Sequence, residues 1–319
     1  MKYIALESTN PYYNMAFESW CLKHLPEGSY FYLWRNAPAV IIGENQNAFS
    51  EVNLEFLRSD GIFLVRRTTG GGAVYHDLNN LNYSFIGKDV SAQPVVDALR
   101  SLGLDVELSG RNDIYLDGRK VSGYARRMEN NRYLVHGTLL YDVDLQTLQK
   151  ALDTPTGKMA VKGVKSVRSK VANLKDYLPF NGVENFHKAL LDILAKDMET
   201  YELNESQLAE IQKLCDAKFA TDEWNLGRSV GSMSKHSRRF ACGTVEVSLS
   251  LENDRIGGIE FTGDFLGGRS TDELKKRLIG VTYEPDALSE ALVGLDVSDY
   301  FDSMSSDQLV SLIISDTLG

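Results

Sequence analysis

The 319-residue sequence has few cysteines and no long apolar run. Its three cysteines, Cys21, Cys215 and Cys242, are too few and too scattered for a disulfide framework, and none has a Cys-x-x-Cys partner for zinc. No segment reaches the roughly 18 uncharged apolar residues of a membrane helix, and the N-terminus lacks the apolar centre of a signal peptide. We therefore expect a cytoplasmic protein with buried structural cysteines and no membrane association.

Basic residues are also scarce relative to acidic ones. The 34 Lys and Arg residues against 44 Asp and Glu residues give a formal net charge of −10, and nucleic-acid binding needs a broadly basic face. A nucleic-acid partner is therefore not expected. The 43% hydrophobic and 24% charged content is that of an ordinary globular protein, which predicts a chain with a sizeable core.

The hydrophobic patterning predicts an α+β fold, with helices and strands mixed along the chain. One helix is predicted over 14–25, one begins at Pro94, and a short one follows Asp144 as its cap. The segments 29–36 and 39–43 predict two strands in a hairpin or close to it. Further strands are predicted over 62–67, 81–86, 104–108, 113–125 (with a hairpin turn at Asp117-Gly118) and 132–143.

The pattern changes in the last third of the chain. Two amphipathic helices are predicted between 183 and 219, with no strand signal between them. A hairpin with its turn at Asn253-Asp254 follows, and then helices are predicted near 272–278, 286–295 and 306–318. The change near 226–240 predicts two domains, 1–235 and 236–319.

The most unusual segment is RRTTGGGAVYHD, which begins at Arg66. The glycines 70–72 would let the backbone approach a ligand, and adjacent arginines offer forks for carboxylate or phosphate, although a flexible turn is the alternative. The spacing fits neither a Walker loop nor a G-x-G-x-x-G motif. His76 and Asp77 are neighbours in a predicted strand, so they would face opposite sides, and a structural or loop-fixing role is favoured over a direct dyad.

Two further segments combine cations with glycine. In DGRKVSG, alternation along a strand would place Lys120 and Ser122 on one face. The segment 154–175 contains no acidic residue, and it is equally compatible with a solvated face and with a loop that covers an anion; its cations are Lys158, Lys162, Lys165, Arg168, Lys170 and Lys175. Together the three segments predict a small polyanionic ligand held beside a strand.

Taken in order, these segments resemble bacterial lipoate-protein ligases, which are related in fold to biotin protein ligases. The resemblance covers essentially the whole chain, and its five ordered motifs, preceded by WRNAPAVIIGENQN, are RRTTGGGAVYHD, SGRNDI, RKVSGYA, HGTLL and KGVKSVRSKVANL. It implies a large catalytic domain with β-sheets flanked by helices and a small C-terminal α/β domain.

The resemblance also implies an activity. Such ligases join lipoate to ATP, forming lipoyl-adenylate and pyrophosphate with magnesium, and pass the lipoyl group to a lysine of a lipoyl carrier domain. The implied partners are the E2 subunits of 2-oxoacid dehydrogenases and the glycine cleavage H protein. A covering loop that orders on adenylate formation and a C-terminal domain that moves between the half-reactions are further expectations.

The resemblance also implies site residues, each assigned by its position in one of these motifs. Lys120 is the expected catalytic cation, touching both the lipoate carboxylate and the adenylate phosphate. For ATP and adenylate the resemblance implies Arg67, Gly70, Gly71, Gly72, Ala73, Val74, Tyr75, Lys120, Asn80 and Asp113. For lipoate it implies Lys120, His76 and Gly72; for the adenylate-binding loop it implies Lys162, Gly163, Lys165, Ser166 and Arg168; and for a metal it implies Asp113.

Two departures and two rival functions accompany the resemblance. Asn79 stands where the family usually has glycine, and asparagine would tolerate a positive φ in this turn. The bulky Tyr124 leaves the acyl-chain preference open. The first rival is an octanoyl or lipoyl transferase of the same fold, which needs a thiolate and no ATP, but no cysteine lies between Arg66 and Lys175. The second is a non-catalytic binder of lipoate or adenylate.

Overall fold

The computed structural model describes residues 1–109, 112–152, 171–226, 234–252 and 254–314. The α-helices are α1 (Pro11–His24), α2 (Ala48–Glu51), α3 (Leu54–Ser59), α4 (Gln93–Ser101), α5 (Leu145–Leu152), α6 (Val183–Leu194), α7 (Glu205–Leu214), α8 (Asp222–Leu226), α9 (Asp272–Leu278), α10 (Pro285–Ala291) and α11 (Ser306–Ile314).

The strands are β1 (Lys2–Tyr3), β2 (Tyr30–Trp34), β3 (Ala39–Ile42), β4 (Phe63–Arg66), β5 (Val74–His76), β6 (Asn80–Gly87), β7 (Val106–Ser109), β8 (Asp113–Leu116), β9 (Arg119–Glu129), β10 (Arg132–Leu140), β11 (Glu199–Thr200), β12 (Ser234–Phe240), β13 (Gly243–Glu252) and β14 (Arg255–Gly263). The mixed α and β fold class predicted from the patterning is confirmed.

An eight-stranded sheet forms the centre of the molecule, in the order β11-β1-β2-β6-β10-β9-β8-β7. Only β1 pairs in parallel, with β2 and with β11; the other neighbours are antiparallel. One face packs on apolar side chains of α4 and α6, such as Leu99 and Phe186. The other face packs on α1, where Met15, Phe17 and Trp20 are buried. Both faces of the sheet are therefore covered.

The predicted hairpin of 29–36 with 39–43 is wrong, because β2 and β3 lie in different sheets. Strand β2 already has β1 on one edge and β6 on the other, so no edge is left for β3. Instead β3 is the centre of a second sheet, parallel to β4 and antiparallel to β5. One face of this sheet adjoins α1, and the other packs on α2, α3 and α5.

Helix α1 begins three residues before its predicted start because Asn10 and Pro11 define its N-terminus. The Asn10 side chain accepts hydrogen bonds from the backbone N–H groups of Tyr12 and Tyr13, and Pro11 occupies the first helical position. The helix is buried on most sides, including the polar residues Asn14 and Glu18. Such burial requires hydrogen-bond partners for both side chains.

The C-terminal part of the chain contains a three-stranded antiparallel sheet, β12-β13-β14, with its own buried cluster that includes Phe261 and Phe301. Two details differ from expectation. A turn at 241–242 divides what was predicted as one strand, and the two-residue strand β11 lies where the first of the two amphipathic helices was predicted to end. Strand β11 escaped prediction because two residues give no periodicity. The helices among the described residues are all too short or too polar to span a membrane.

The C-terminal sheet contacts the central part of the chain through backbone hydrogen bonds. The N–H of Gly71 donates to the carbonyl of Phe265 at 2.9 Å, and the N–H of Met128 donates to Gly268 at 2.6 Å. Arg126 adds an ion pair with Asp302 at 3.0 Å. Glycines 70–72, here called the glycine segment, thus lie directly against the C-terminal unit, which comprises the described residues from β12 onward.

Arg66 is fully buried, and its guanidinium group bonds to backbone carbonyls. Its guanidinium group donates to the carbonyl oxygens of Gly43, Glu44, Gln46, Trp224 and Asn225. These carbonyls belong to the loop after β3 and to α8, so one side chain joins two segments far apart in sequence. Removing it would leave several buried carbonyls without donors.

We predict that Arg66→Met lowers the free energy of unfolding by about 3 kcal/mol, because several buried acceptors lose their donor at once. Chemical denaturation followed by circular dichroism measures this change. Arg58→Met, at an exposed position of α3, is the matched control and should shift stability by less than about 0.5 kcal/mol. Equal stability of the two variants would contradict the structural role given to Arg66.

Candidate active site

A cavity of about 130 Å³ lies between α1, β2, β3, β5, β6, β9, β10 and glycines 71–72. Its buried end is formed by Met15, Trp34, Ile41, His76, Asn82 and His136. Asn112, Lys120, Gly123 and Tyr124 are only half-buried and form the mouth. A long molecule with an apolar tail and a charged head would match this gradient of exposure.

The structure brings many of the predicted site residues together. The cavity wall includes Arg67, Gly71, Gly72, Ala73, Val74, His76 and Lys120. Gly70, Tyr75, Asn80 and Asp113 lie outside the wall; Tyr75, for example, alternates away from Val74 and His76 into the cluster with Val40 and Ile42. The predicted loop residues Lys162, Gly163, Lys165, Ser166 and Arg168 lie outside the described residues, as does Arg111.

Lys120 lies at the cavity mouth with one third of its side chain exposed. Its Nζ is 2.7 Å from Asp113 Oδ1, so an aspartate on the neighbouring strand orients it. A Cβ at Gly123 would lie 2.8 Å from this Nζ, so glycine leaves the space that the lysine occupies. The backbone carbonyl of Lys120 accepts a hydrogen bond from the N–H of Ala172, which places the C-terminal end of the acid-free segment 154–175 directly beside the lysine.

The expectation that Ser122 shares a face with Lys120 is wrong, because β9 contains a β-bulge. Tyr115 pairs with Lys120 and Ile114 pairs with Ser122, so Val121 is an extra residue. The bulge reverses the alternation: Lys120 and Gly123 face the cavity, while Ser122 is fully buried. One inserted residue therefore decides what accompanies the lysine.

Arg67 shapes the glycine segment from inside. Its Nη2 donates to the carbonyls of Gly70 (2.6 Å) and Gly72 (2.8 Å), and its Nη1 donates to Ile41 (3.0 Å). The expectation that both arginines present open forks is therefore corrected: Arg66 lies away from the cavity, and Arg67 lines it while bonding the loop. Burial lowers the pKa of Arg67 to about 10, which still leaves it charged at neutral pH.

The three glycines have different tasks. A Cβ at Gly70 would lie 2.5 Å from the carbonyl oxygen of Phe265, and Gly71 has a φ of +93°. These two positions are required by packing and by backbone conformation. A Cβ at Gly72 would meet nothing within 4 Å, so Gly72 is the position that leaves space beside the cavity.

A buried polar network runs behind the cavity and was missed by sequence reasoning. The Trp34 indole donates to Ser84, Ser84 donates to Glu18, and the other Glu18 oxygen is 2.8 Å from His136 Nδ1. His136 Nε2 is 2.8 Å from the hydroxyl of Thr69, which accepts from Arg67 Nε at 3.0 Å.

The direction of one bond in this network is fixed by chemistry. Arg67 can only donate, so the Thr69 hydroxyl accepts from it and connects Arg67 to His136 Nε2. The buried carboxylate of Glu18 also stabilises the nearby charge of Arg67. The one sequence signal was an acidic residue inside the apolar pattern of α1.

His76 and Asp77 do not form a dyad, as expected from their opposite directions. His76 is buried and contacts Asn36, and desolvation, with Arg67 and His136 nearby, lowers its pKa to about 3. Asp77 accepts hydrogen bonds from the backbone of Asn79 and Asp144, so it fixes the loop. Asn79 does not adopt a positive φ, so the turn closes without the conformation that glycine would supply.

Neither a metal cluster nor a thiol accompanies the cavity. Across the described ranges no three His, Cys, Asp or Glu side chains converge as metal ligands, and the carboxylate at the mouth, Asp113, pairs with Lys120. All three cysteines are buried, as expected, and none of them lines the described cavity wall. Burial raises the pKa of Cys21 and raises that of Cys215 to about 11. A cysteine nucleophile therefore has no place in this wall.

Comparison with known proteins agrees with this geometry. Residues 10–195 match the lipoyl protein ligase A/B catalytic domain, and residues 230–313 match the bacterial lipoate protein ligase C-terminus. Lipoate-protein ligase LplJ of Bacillus subtilis is 37% identical, covering 95% of this chain and 97% of that protein.

Two solved structures are also similar. One is a bipartite lipoate protein ligase from Thermoplasma acidophilum, studied with its E2 lipoyl domain (30% identity, TM-score 0.66, 73% of this chain and 98% of that chain). The other is a lipoate-protein ligase A bound with ATP (30% identity, TM-score 0.61, 71% and 98%). Fold and site thus define a ligase. The chain belongs to the lipoate-protein ligase family, which confirms the resemblance of its motifs.

We predict that Glu18→Gln lowers the free energy of unfolding by about 2–3 kcal/mol, because an amide cannot accept from both Ser84 and His136 and the charge of Arg67 loses its partner. Chemical denaturation tests this. Glu27→Gln, which changes an exposed ion pair with Lys88, is the control and should leave stability nearly unchanged. A similar small effect at both positions would show that the network does not stabilise the fold.

We also predict that His76 makes folding sensitive to acid. Its pKa is about 3 when folded and near 6.5 when unfolded, so below pH 6.5 the unfolded chain takes up a proton that the folded one does not. Stability should fall by about 2 kcal/mol between pH 7 and pH 5 from this group alone. Denaturation at both pH values should give a smaller difference for His76→Phe, and an unchanged one for the exposed His24→Gln.

Proposed function

We propose that this protein joins lipoate to ATP, releases pyrophosphate, and passes the lipoyl group from lipoyl-adenylate to a lysine of a carrier domain. The observation that carries the proposal is Lys120 at the mouth of a cavity whose buried end contains the apolar side chains of Met15, Trp34 and Ile41. Family membership supports it, as do relatives bound with ATP and studied with an E2 lipoyl domain.

In the first step a lipoate carboxylate oxygen attacks the α-phosphorus of ATP, the new P–O bond forms, and pyrophosphate leaves. The two reactants are anions that repel each other, so a cation between them stabilises the charge that develops. At ~4 Å and an effective dielectric near 20 one such contact has a Coulomb energy of about 4 kcal/mol. Lys120 fits this role because its ion pair with Asp113, at 2.7 Å, holds the ammonium group at the cavity mouth.

In the second step the amine of the carrier lysine attacks the lipoyl carbonyl carbon, the amide bond forms, and AMP leaves. The mixed anhydride must be kept from water until then. The acid-free segment 154–175 is proposed as its cover, including Lys162, Gly163, Lys165, Ser166 and Arg168. The hydrogen bond between Lys120 and Ala172, which lies near the end of that segment, supports the proposal.

The remaining site residues divide between the two substrates. The backbone of 71–74, held by Arg67, is proposed to contact the adenylate, and the end of the cavity with Trp34 and His76 to hold the lipoyl tail. Gly70, Tyr75 and Asn80 would act through packing, since they lie outside the wall. Magnesium would be held mainly by the phosphates of ATP, with Asp113 as one carboxylate at most.

Carrier, location and domain division are part of the proposal. The expected carriers are E2 subunits of 2-oxoacid dehydrogenases and the glycine cleavage H protein, in the cytoplasm. The division into 1–235 and 236–319 is supported by the separate buried cluster of the second unit. Because Gly71 bonds Phe265, adenylate formation at the glycine segment would change this contact, and small-angle scattering with and without lipoate plus ATP tests for movement.

The activity is tested by mass spectrometry of a purified lipoyl carrier domain after incubation with the protein, lipoate and magnesium, with and without ATP. A mass gain of one lipoyl group that requires ATP is expected. No gain, together with no lipoate-dependent pyrophosphate exchange, would overturn the proposal. Transfer from an acyl carrier protein without ATP would then indicate the transferase, and its absence the non-catalytic binder.

We predict that Lys120→Ala lowers the rate of lipoate-dependent pyrophosphate exchange by about 10²–10³-fold, as expected for loss of a preorganised donor at the reacting groups. The circular dichroism spectrum should not change, since the side chain is partly exposed at the cavity mouth. Lys196→Ala, on an exposed surface, is the matched control. Near-normal exchange by a folded Lys120→Ala protein would refute the role given to this lysine.

A further inference from the structure

Besides His136, whose ring nitrogens contact Thr69 and Glu18, two polar side chains lie at the buried end of the cavity. His76 is 3% exposed and Asn82 is 1% exposed, and both line the wall with Met15, Trp34 and Ile41. A buried donor without an acceptor is unfavourable, so such groups in a binding cavity favour a ligand that supplies one. A saturated hydrocarbon tail supplies none.

The proton of His76 can be located from its neighbours. Asn14 Nδ2 is 3.0 Å from the carbonyl oxygens of both Ser8 and Arg35, which can only accept, so the amide orientation of Asn14 is fixed. The same Nδ2 is 2.8 Å from Asn36 Oδ1, which turns Asn36 Nδ2 toward His76 Nδ1 at 3.1 Å. Nδ1 therefore accepts, and in a neutral ring the proton lies on Nε2.

This Nε2–H group has no hydrogen-bond partner within the part of the chain that the structure describes, and the same is true of Asn82 Nδ2. The oxygen of Asn82 is already used, since it accepts from Asn80 at 2.8 Å. Two residues of the cavity wall thus each carry a buried donor that has no acceptor among the described residues.

We propose that His76 Nε2–H and Asn82 Nδ2–H select an acyl substrate that carries a weak acceptor near its tail, favouring the dithiolane of lipoate over the saturated chain of octanoate. This inference rests on the proposed function, in which Lys120 holds the carboxylate at the half-exposed mouth and the tail reaches the buried end. A disulfide sulfur accepts hydrogen bonds weakly and is poorly hydrated, so it matches a wall that is apolar apart from these two donors.

The test compares three acids in the pyrophosphate-exchange reaction: lipoate, octanoate and cyclopentanepentanoate, which has a five-membered ring of carbon in place of the dithiolane. The carbon ring separates shape from the ability to accept a hydrogen bond. The unaltered protein should show a kcat/KM for lipoate about 3–10 times that for cyclopentanepentanoate, the range of one or two modest hydrogen bonds.

Two variants remove the donors one at a time. In Asn82→Leu and in His76→Phe the ratio of lipoate to cyclopentanepentanoate should fall toward one. Met15→Leu, which alters the apolar wall without removing a donor, is the control and should keep the ratio of the unaltered protein. Because each ratio is taken within one protein, an unfolded fraction cancels, and two variants at different positions protect against failure of either to fold.

The outcomes are distinct. A ratio near one in the unaltered protein, or a ratio that both donor variants keep, would overturn the proposed selection while leaving the ligase activity standing. Failure of the unaltered protein to activate any of the three acids would overturn the proposed function and this selection with it. A falling ratio in the donor variants and a constant one in Met15→Leu would support the selection.

Discussion

The buried charge of Arg67 is the interaction on which the site depends. A guanidinium group taken out of water needs both hydrogen-bond acceptors and a nearby negative charge. The carbonyls of Ile41, Gly70 and Gly72 supply acceptors, and Glu18 supplies the charge through Thr69 and His136. One cation therefore fixes the path of the glycine segment to β3, α1 and β10 at the same time, before any ligand is present.

Much of the fold and the mouth of the site could be predicted from the sequence. The glycine segment, Lys120 and the Asp117-Gly118 turn are local patterns, and most helices and strands follow from periodicity. The network behind the cavity could not be found in this way. Glu18 and His136 are 118 residues apart, and nothing local to either marks the contact. Met15, Trp34 and Ile41 carry no sequence signal of a cavity wall, because apolar side chains that line a cavity are of the same types as those of a core.

Two errors arose where a local rule met a tertiary constraint. Alternation along β9 predicts Ser122 beside Lys120, but the bulge at Val121 places Gly123 there instead. The succession of β2 and β3 predicts a hairpin, but both edges of β2 are already occupied. Bulges and edge occupancy belong to pairs of strands, so a single segment carries no signal for them.

The contact of Gly70 and Gly71 with Phe265 couples the C-terminal unit thermodynamically to the glycine segment. If a ligand of the glycine segment changes the free energy of this contact, the position of the C-terminal unit changes the affinity for that ligand by the same factor. A carrier domain with a higher affinity for one position of the C-terminal unit would then bind with an affinity that depends on whether the cavity is occupied, without contacting the cavity. The order of the two half-reactions would then follow from this reciprocal effect on affinity alone.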